Sequence, residues 1–563
     1  MAKGSTAERA KLAALAARQR LRALARGALA PARAFARLRS RTPDRLLIAP
    51  QDIRTADATR AEDIYAGYFA FGGRIVNTQG RSPFELHPPS AEWRSVLTGF
   101  GWLRHMRAAN SALARANARA LVDDFLASRS RIGALPDEPE TTARRVLSWL
   151  SQSTLLLEGA DSDFYGRFLR GLARDAAQLV QANGALTGLA RLQTAIALAE
   201  YALCAECPPR FQARTTAQLA AAIEDQILPD GGHIGRNPQT LIELLLDFLP
   251  LRQAYAARSI NAPQALLSAI DRMIPALRLL RHGDGSLALF NGMGVTAPDR
   301  LAVILAYDDT HGDPPLNAPY FGYQRMQAGE TVVLVEAGAS PPGPYSRQAH
   351  AGCLSFEFSS GGDRIVVNCG APAAGATAAR EAVRATAAHS TLVVDDTSSC
   401  RIASNVGIER VVAGQIVAGP RNVEVSRSDL ADAALLEMSH DGYARSFGLI
   451  HERRLALKSD GAQLAGDDRL LGAHKPGQKE PKAFVLRFHI HPSVRLSAGE
   501  DGASVVLDLP SGQRWIFEAG ALPVAIEESV FFASPDGMRP CEQIVVESQA
   551  HAASEAQWAF SRV

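Results

Sequence analysis

Near Asp313 the hydrophobic pattern changes period, and no single type of secondary structure accommodates both sides of that change. From Trp93 to about Tyr307 apolar residues recur at i, i+3, i+4 and i+7. This spacing predicts helices over Arg107–Ala127, Thr142–Leu157, Asp163–Ala182, Leu186–Cys207, Thr215–Ile227, Thr240–Ala257 and Pro263–Leu280. Breakers such as Asn183-Gly184, Pro208-Pro209 and Pro229-Asp230-Gly231-Gly232 separate them, so helices pair antiparallel and build a curved array. After Gly312-Asp313-Pro314-Pro315 the alternation is two-residue, in Thr331–Glu336, Leu354–Phe358, Arg364–Asn368, Thr391–Asp395, Ser504–Leu509 and Gln513–Glu518. Ser359-Ser360-Gly361-Gly362-Asp363 reads as a hairpin turn. About thirteen strands would fit, enough for a sandwich of two antiparallel sheets. The expected organisation is multidomain, α then β: a leader over 1–45, a helical domain with an extended N-terminal segment over 46–312, and a β-sandwich over 313–563.

Charge separates the leader from the body. Residues 1–45 hold twelve Lys or Arg against two acids, a local net of +10, whereas the whole chain carries +2. A mildly acidic body is a poor general nucleic-acid binder, and no nucleic-acid partner is expected. Within residues 7–41, Arg18, Arg22 and Arg26 lie on one helical face and leucines largely on another. Such a segment suits peripheral contact with an anionic membrane, and equally suits a solvated arm. It lacks the apolar stretch of a cleavable secretory signal, and no run is long enough to span a bilayer. The six cysteines include one close pair, Cys204 and Cys207, inside a helical pattern, and form no disulfide framework.

Four clusters carry groups capable of chemistry. They are Asp230-Gly231-Gly232-His233-Ile234-Gly235-Arg236-Asn237-Pro238; Arg281-His282-Gly283-Asp284-Gly285-Ser286, continuing to Asn291-Gly292; Tyr345-Ser346-Arg347-Gln348-Ala349-His350-Ala351-Gly352; and Arg384-Ala385-Thr386-Ala387-Ala388-His389-Ser390-Thr391. Each sets a histidine beside glycine or small residues on a loop next to a regular element, where function usually sits. A single such histidine is more often a cap or a packing residue; four in one chain favour convergence. His489-Ile490-His491 puts two imidazoles on one strand face, the start of a metal site if a third ligand existed, with a hydrogen-bonded pair as the default. Trp93, Trp102 and Trp149 suit sugar stacking or, more commonly, helix packing.

The Asp-Gly-Gly-His turn, the entry His350–Glu357 and the Ala-Ala-His-Ser-Thr entry at 387–391 together resemble the heparinase II/III family of bacterial polysaccharide lyases. The resemblance runs from about residue 90 to the end and is strongest over 315–470, including Asp441-Gly442-Tyr443 and His451-Glu452-Arg453-Arg454. It implies an incomplete α/α toroid followed by a large antiparallel β-sandwich, with substrate between the two, and an envelope or periplasmic location. It also implies β-elimination at a uronic acid: the substrate carboxylate is neutralised, a base removes the C5 proton, and an acid protonates the leaving O4. By resemblance His233 and His350 are catalytic. Arg236 or Asn237 lies near the carboxylate, while Arg347 and His389 serve substrate or support the site; Asp284 and Asn291 join them as binding candidates. No cofactor is implied as necessary; a structural divalent metal in the sandwich is a family option that the spacing here does not support.

One departure stands out. The family's tyrosine from the later helical part has no counterpart, because no tyrosine occurs between Tyr255 and Tyr307. Either His282, flanked by Asp284, replaces it, or Tyr345 reaches in, or the lyase chemistry is lost. The leading expectation is a lyase acting on an acidic polysaccharide. The alternative is a non-lyase carbohydrate-binding or glycan-processing envelope protein on the same scaffold.

Overall fold

The computed structural model describes residues 42–129, 137–308, 312–373, 376–473, 477–500, 503–551 and 554–563, with Ala14 and Ala17. The membrane-contact reading of residues 7–41 lies outside the described residues. The chain divides into two compact units. One contains Met1–Ile227, Glu243–Asp271 and Ala302–Tyr307; the other contains Leu228–Ile242, Arg272–Leu301 and Asp308–Val563.

The first unit is helical. Ala112–Arg129, Pro139–Ser151, Ser162–Asn183, Leu189–Cys204 and Pro209–Gln226 follow one another with short connections. The single helix expected over Arg107–Ala127 is two, Leu103–Ala109 and Ala112–Arg129. Asn110 ends the first at φ 43°, a left-handed conformation that Asn tolerates better than most residues. Leu189–Cys204 is buried on nearly every face from Thr194 onward, the pattern of a helix surrounded by others. Arg145 is fully buried and balanced by two carboxylates, Asp175 at 2.7 Å and Asp137 at 2.9 Å. Trp93, Trp102 and Trp149 are core residues with no face for a sugar; Trp149 packs on Phe100 and Phe168.

The second unit carries two large antiparallel sheets. The eight-stranded sheet runs, in spatial order, Val423–Asp429, Ala433–His440, Leu449–Lys458, Gln463–Gly472, Ser554–Arg562, Arg514–Glu518, Ser504–Asp508 and Arg495–Ala498. The other runs Val524–Phe531, Arg539–Gln549, Ala483–Ile490, Asp363–Val367, Phe356–Ser360, Thr331–Glu336, Tyr323–Ala328 and Asn317–Ala318, with Leu392–Val394 paired to Ala483–Ile490. Among the described residues these two sheets hold seventeen strands, and Arg401–Ile402 pairs with Ile416–Ala418 as a further two, against the expected thirteen or so; pieces as short as Asn317–Ala318 show no alternation to read.

Inward residues of both sheets meet in one core. Phe356 stacks on Trp558 with ring centroids 5.4 Å apart, and Phe358 meets Trp515 at 4.9 Å. Strand Leu449–Lys458 alternates buried with less buried positions throughout, as a sheet with one wet face requires. Thr331–Glu336 and Phe356–Ser360 do not alternate, because every residue in them is buried. Their other face is covered within the same unit. Gly283 abuts the Gly361 carbonyl and Leu289 N–H bonds Glu357, so segment 272–301 lies on the sheet. That covering layer positions the candidate site.

Candidate active site

The Asp230–Asn237 turn is held by close backbone approaches. Gly231 sits at φ 85°, and a Cβ there would fall 2.0 Å from the Arg272 carbonyl oxygen. A Cβ on Gly232 would strike the Phe321 ring at 2.1 Å. Asp230 Oδ2 accepts from the backbone N–H groups of Tyr320 and Phe321, each at 2.8 Å. The two glycines and the aspartate therefore fasten the turn to the entry of strand Tyr323–Ala328.

His233 follows directly. Its Nδ1 accepts from Gly235 N at 3.0 Å, and its ring meets the Tyr345 ring edge-on at 6.3 Å. Burial lowers its pKa to about 4, so the ring is neutral at pH 7 and carries its proton on Nε2. Asn237 starts helix Pro238–Ala257: its Oδ1 accepts from Gln239 N at 2.9 Å, while its Nδ2 donates to Gln348 Oε1 at 2.8 Å. The loop bearing His233 thus touches the 3-10 turn Gly343–Gln348 at two points.

Arg236 has its guanidinium held by the protein. Its side chain donates to the carbonyls of Phe321, Gly322 and Ala339 and lies 3.3 Å from Glu336 Oε1. Asn291 Nδ2 lies within 3.1 Å of Arg236 O, Tyr323 Oη and Glu336 Oε1. Asn291 Oδ1 accepts from His350 N at 3.0 Å. Arg236 and Asn291 both adopt left-handed backbone, at φ 60° and 54°, a strained state held by this hub. Both were expected to touch substrate; their donors are spent on the protein. Glu336 is buried, which raises its carboxyl pKa against the opposing effects of Arg236 and Asn291.

His350 is thereby fixed through its backbone, and its ring meets a second histidine: His350 Nδ1 lies 3.2 Å from His389 Nε2. His389 Nδ1 lies 2.9 Å from the Ala385 carbonyl oxygen. Burial holds both pKa values down, His389 to about 4; for His350 the neighbouring His389 and Arg384 add to burial. Tyr345 is half-buried and Arg347 exposed, the latter without a partner among the described residues.

His282 belongs to a different network. Its Nε2 bonds Glu357 Oε2 at 2.9 Å and its Nδ1 meets Ser359 Oγ at 3.0 Å. Asp284 does not orient it: that carboxylate caps Ser286 and pairs with Arg364 at 3.2 Å. Glu357 Oε1 accepts from Leu289 N, Asn368 N and Asn368 Nδ2, and Asn368 Oδ1 accepts from Ser390 N. Both nitrogens of His282 are occupied in the interior.

The structure therefore brings His233, Asn237, Tyr345, Gln348, Asn291, His350 and His389 into one neighbourhood, all in the sheet-bearing unit. It sets His282 and Asp284 apart. His489 and His491 also differ: His489 bonds Ser529 and the Ala387 carbonyl, His491 bonds Ser493. The sequence reading missed Glu336, Glu357 and Tyr323. Glu336 and Glu357 sit in strands buried along their whole length, and a carboxylate there is costly unless paired, which is the signal that marks them.

Residues 310–559 match the family described as Heparinase II/III-like, C-terminal. FtsZ-localized protein C of Caulobacter vibrioides is 33% identical over 522 residues, covering 90% of this chain and 88% of that protein. A crystal structure of heparinase III aligns with TM-score 0.68 at 14% identity, over 87% of this chain and 79% of that one. A heparan sulfate lyase HepC mutant from Pedobacter heparinus aligns with TM-score 0.62 at 17% identity, over 94% and 87%. At those identities the likeness shows the fold alone: an incomplete α/α toroid followed by a large antiparallel β-sandwich.

Proposed function

The chain belongs to the heparinase II/III-like family, and from that premise we propose a lyase that cleaves a uronate-containing acidic polysaccharide by β-elimination. The observation that carries this reading is the meeting of two loops: His233 against Tyr345, and Asn237 bonded to Gln348, two residues before His350. His350 is the base. It takes the C5 proton, the C5–H electrons form the C4–C5 double bond, and the C4–O4 bond breaks. The phenolic proton of Tyr345 goes to the departing O4, and solvent restores it. The His233 Nε2–H, the second Asn237 Nδ2 hydrogen and exposed Arg347 neutralise the uronate carboxylate, the step that acidifies C5. Tyr345 thus takes the part of the tyrosine missing between residues 255 and 307. His282 serves the fold. The structurally similar heparan sulfate lyase acts on an acidic polysaccharide, which supports the substrate class.

The test is a panel of uronate polymers incubated with the full chain. Ultraviolet absorbance of an unsaturated uronate end is expected with at least one polymer, and its loss in Tyr345→Phe. A folded wild-type chain that yields no such product from any uronan overturns the proposal.

A second reading is favoured by the extensive match to a protein named for its localisation with FtsZ rather than for a reaction. On it the chain is a glycan-binding envelope protein on the same scaffold, held at the membrane by its basic leader. Glycan binding without cleavage, unchanged in His350→Ala, supports that reading.

A further inference from the structure

The buried histidines differ in which nitrogen they leave unused, and one of them leaves a lone pair free. A carbonyl oxygen only accepts, so His389 Nδ1, at 2.9 Å from Ala385 O, carries a hydrogen. With His389 neutral, its Nε2 is bare and accepts. His350 Nδ1, 3.2 Å away, must then supply the hydrogen between them. With His350 also neutral, its remaining nitrogen, Nε2, is bare. No hydrogen bond reaches that atom among the described residues, and it is not among the buried polar atoms left without a partner.

The gradient of exposure runs the same way. His389 is 1% exposed and His350 7%, so the pair passes from the interior towards the surface. The loops that carry the two rings are fastened together. Ala351 N donates to Arg384 O at 2.9 Å, Thr386 Oγ1 to Ala351 O at 2.8 Å, and Arg384 Nε to Ala349 O at 2.8 Å. A Cβ at Gly352 would fall 2.7 Å from His389 Cδ2, so glycine there admits the His389 ring.

The other buried pair makes the contrast. His451 Nε2 bonds Asp468 at 2.6 Å, its Nδ1 meets His440 Nε2 at 3.3 Å, and His440 Nδ1 accepts from Gly442 N at 3.0 Å. All four nitrogens there are used, and the chain of bonds ends on a carboxylate. The 350–389 chain ends on a carbonyl at one side and on an unused lone pair at the other.

We propose that His389 is a positioning residue that locks the His350 imidazole with its proton on Nδ1 and its lone pair on Nε2. Its place in catalysis rests on the lyase reading above; the tautomer itself does not. An anchor on a carbonyl rather than on a carboxylate fixes the ring, and burial, which outweighs the opposing effect of Glu357 on His389, keeps the dyad uncharged, so His350 is a base before substrate arrives. It is the arrangement by which an outer hydrogen bond decides which nitrogen of a histidine is reactive.

The experiment is long-range proton–nitrogen correlation of the imidazoles in full-length protein labelled with ¹⁵N-histidine, near pH 7. His350 signals are assigned by their disappearance in His350→Gln. The wild type is expected to show His350 protonated on Nδ1 and bare on Nε2. In His389→Ala that signature is expected to shift towards the Nε2-protonated form. His389→Gln, whose side-chain oxygen can still accept, is expected to keep it. A wild-type His350 protonated on Nε2, or a signature unmoved in a folded His389→Ala, overturns the proposal. The wild-type spectrum decides even if His389→Ala fails to fold. Where a cleaved uronan is in hand, kcat is expected to fall about 10–100-fold in His389→Ala with KM little changed. The expected tautomer in a chain that cleaves no uronan sinks the lyase reading and leaves the lock standing.

Discussion

The Arg236 guanidinium lies 3.3 Å from Glu336 Oε1, with both side chains at least 95% removed from solvent. Because three carbonyls complete the guanidinium's bonds, the pair behaves as a structural pin for the turn carrying His233 and Asn237. Removing one partner of a buried pair leaves the other charge uncompensated. Arg236→Ala is expected to cost about 3–5 kcal/mol in urea unfolding. A loss below about 1 kcal/mol contradicts the pin and returns Arg236 to the pool of ligand-binding residues.

Much of this was written in the periodicity. Thr331–Glu336 has the bounds that the apolar run between turn residues predicts, and Asp230-Gly231-Gly232 stood out as a turn because nothing but glycine suits those positions. What local pattern could not carry was partnership. His282 is flanked in sequence by Asp284, but its carboxylate is Glu357, 75 residues away. The covering of Phe356–Ser360 by segment 272–301 is likewise non-local, so a reading that stops the helical half near residue 312 assigns that segment by its helices alone. Tyr345 was named only as one of three ways round a missing tyrosine; its contact with His233 depends on two loops meeting, and no spacing rule records that.

Acid should loosen the sheet-bearing unit from about pH 6.5 downward, where its buried histidines begin to oppose folding. Burial lowers His233 and His389 to about 4, and His489 and His491 to about 3. The unfolded chain therefore binds protons from pH ~6.5 downward while the folded one does not, and stability falls with falling pH until the folded groups titrate. Each group with a shift from 6.5 to about 4 contributes on the order of 3 kcal/mol to this loss. The urea midpoint is expected to drop steeply between pH 6.5 and 5. A flat profile over that window contradicts the burial of neutral histidines.

Gly283 offers a steric test of the covering layer. A Cβ there would fall 1.9 Å from the Gly361 carbonyl oxygen, whereas one on neighbouring Gly362 meets nothing within 4 Å. Gly283→Ala should lift the 282–286 loop, cost about 1–3 kcal/mol and disturb the His282–Glu357 bond. Gly362→Ala should be nearly silent in the same melts. Equal effects from the two contradict the close approach.

The basic leader makes a prediction independent of the site. With a net of +10 over residues 1–45, the full chain is expected to sediment with vesicles rich in anionic lipid, less so as salt rises. A chain lacking residues 1–41 should stay in the supernatant. Binding that persists without the leader places membrane contact elsewhere.

The most direct measurement is release of unsaturated uronate ends by the wild type, by His350→Ala and by Tyr345→Phe, on a uronan that the wild type cleaves. Loss of about 100-fold or more in each variant, with melting temperatures little changed, is the expected result. A wild type that forms no unsaturated ends from any uronan, or variants that form them at the wild-type rate, contradicts β-elimination by His350 and Tyr345.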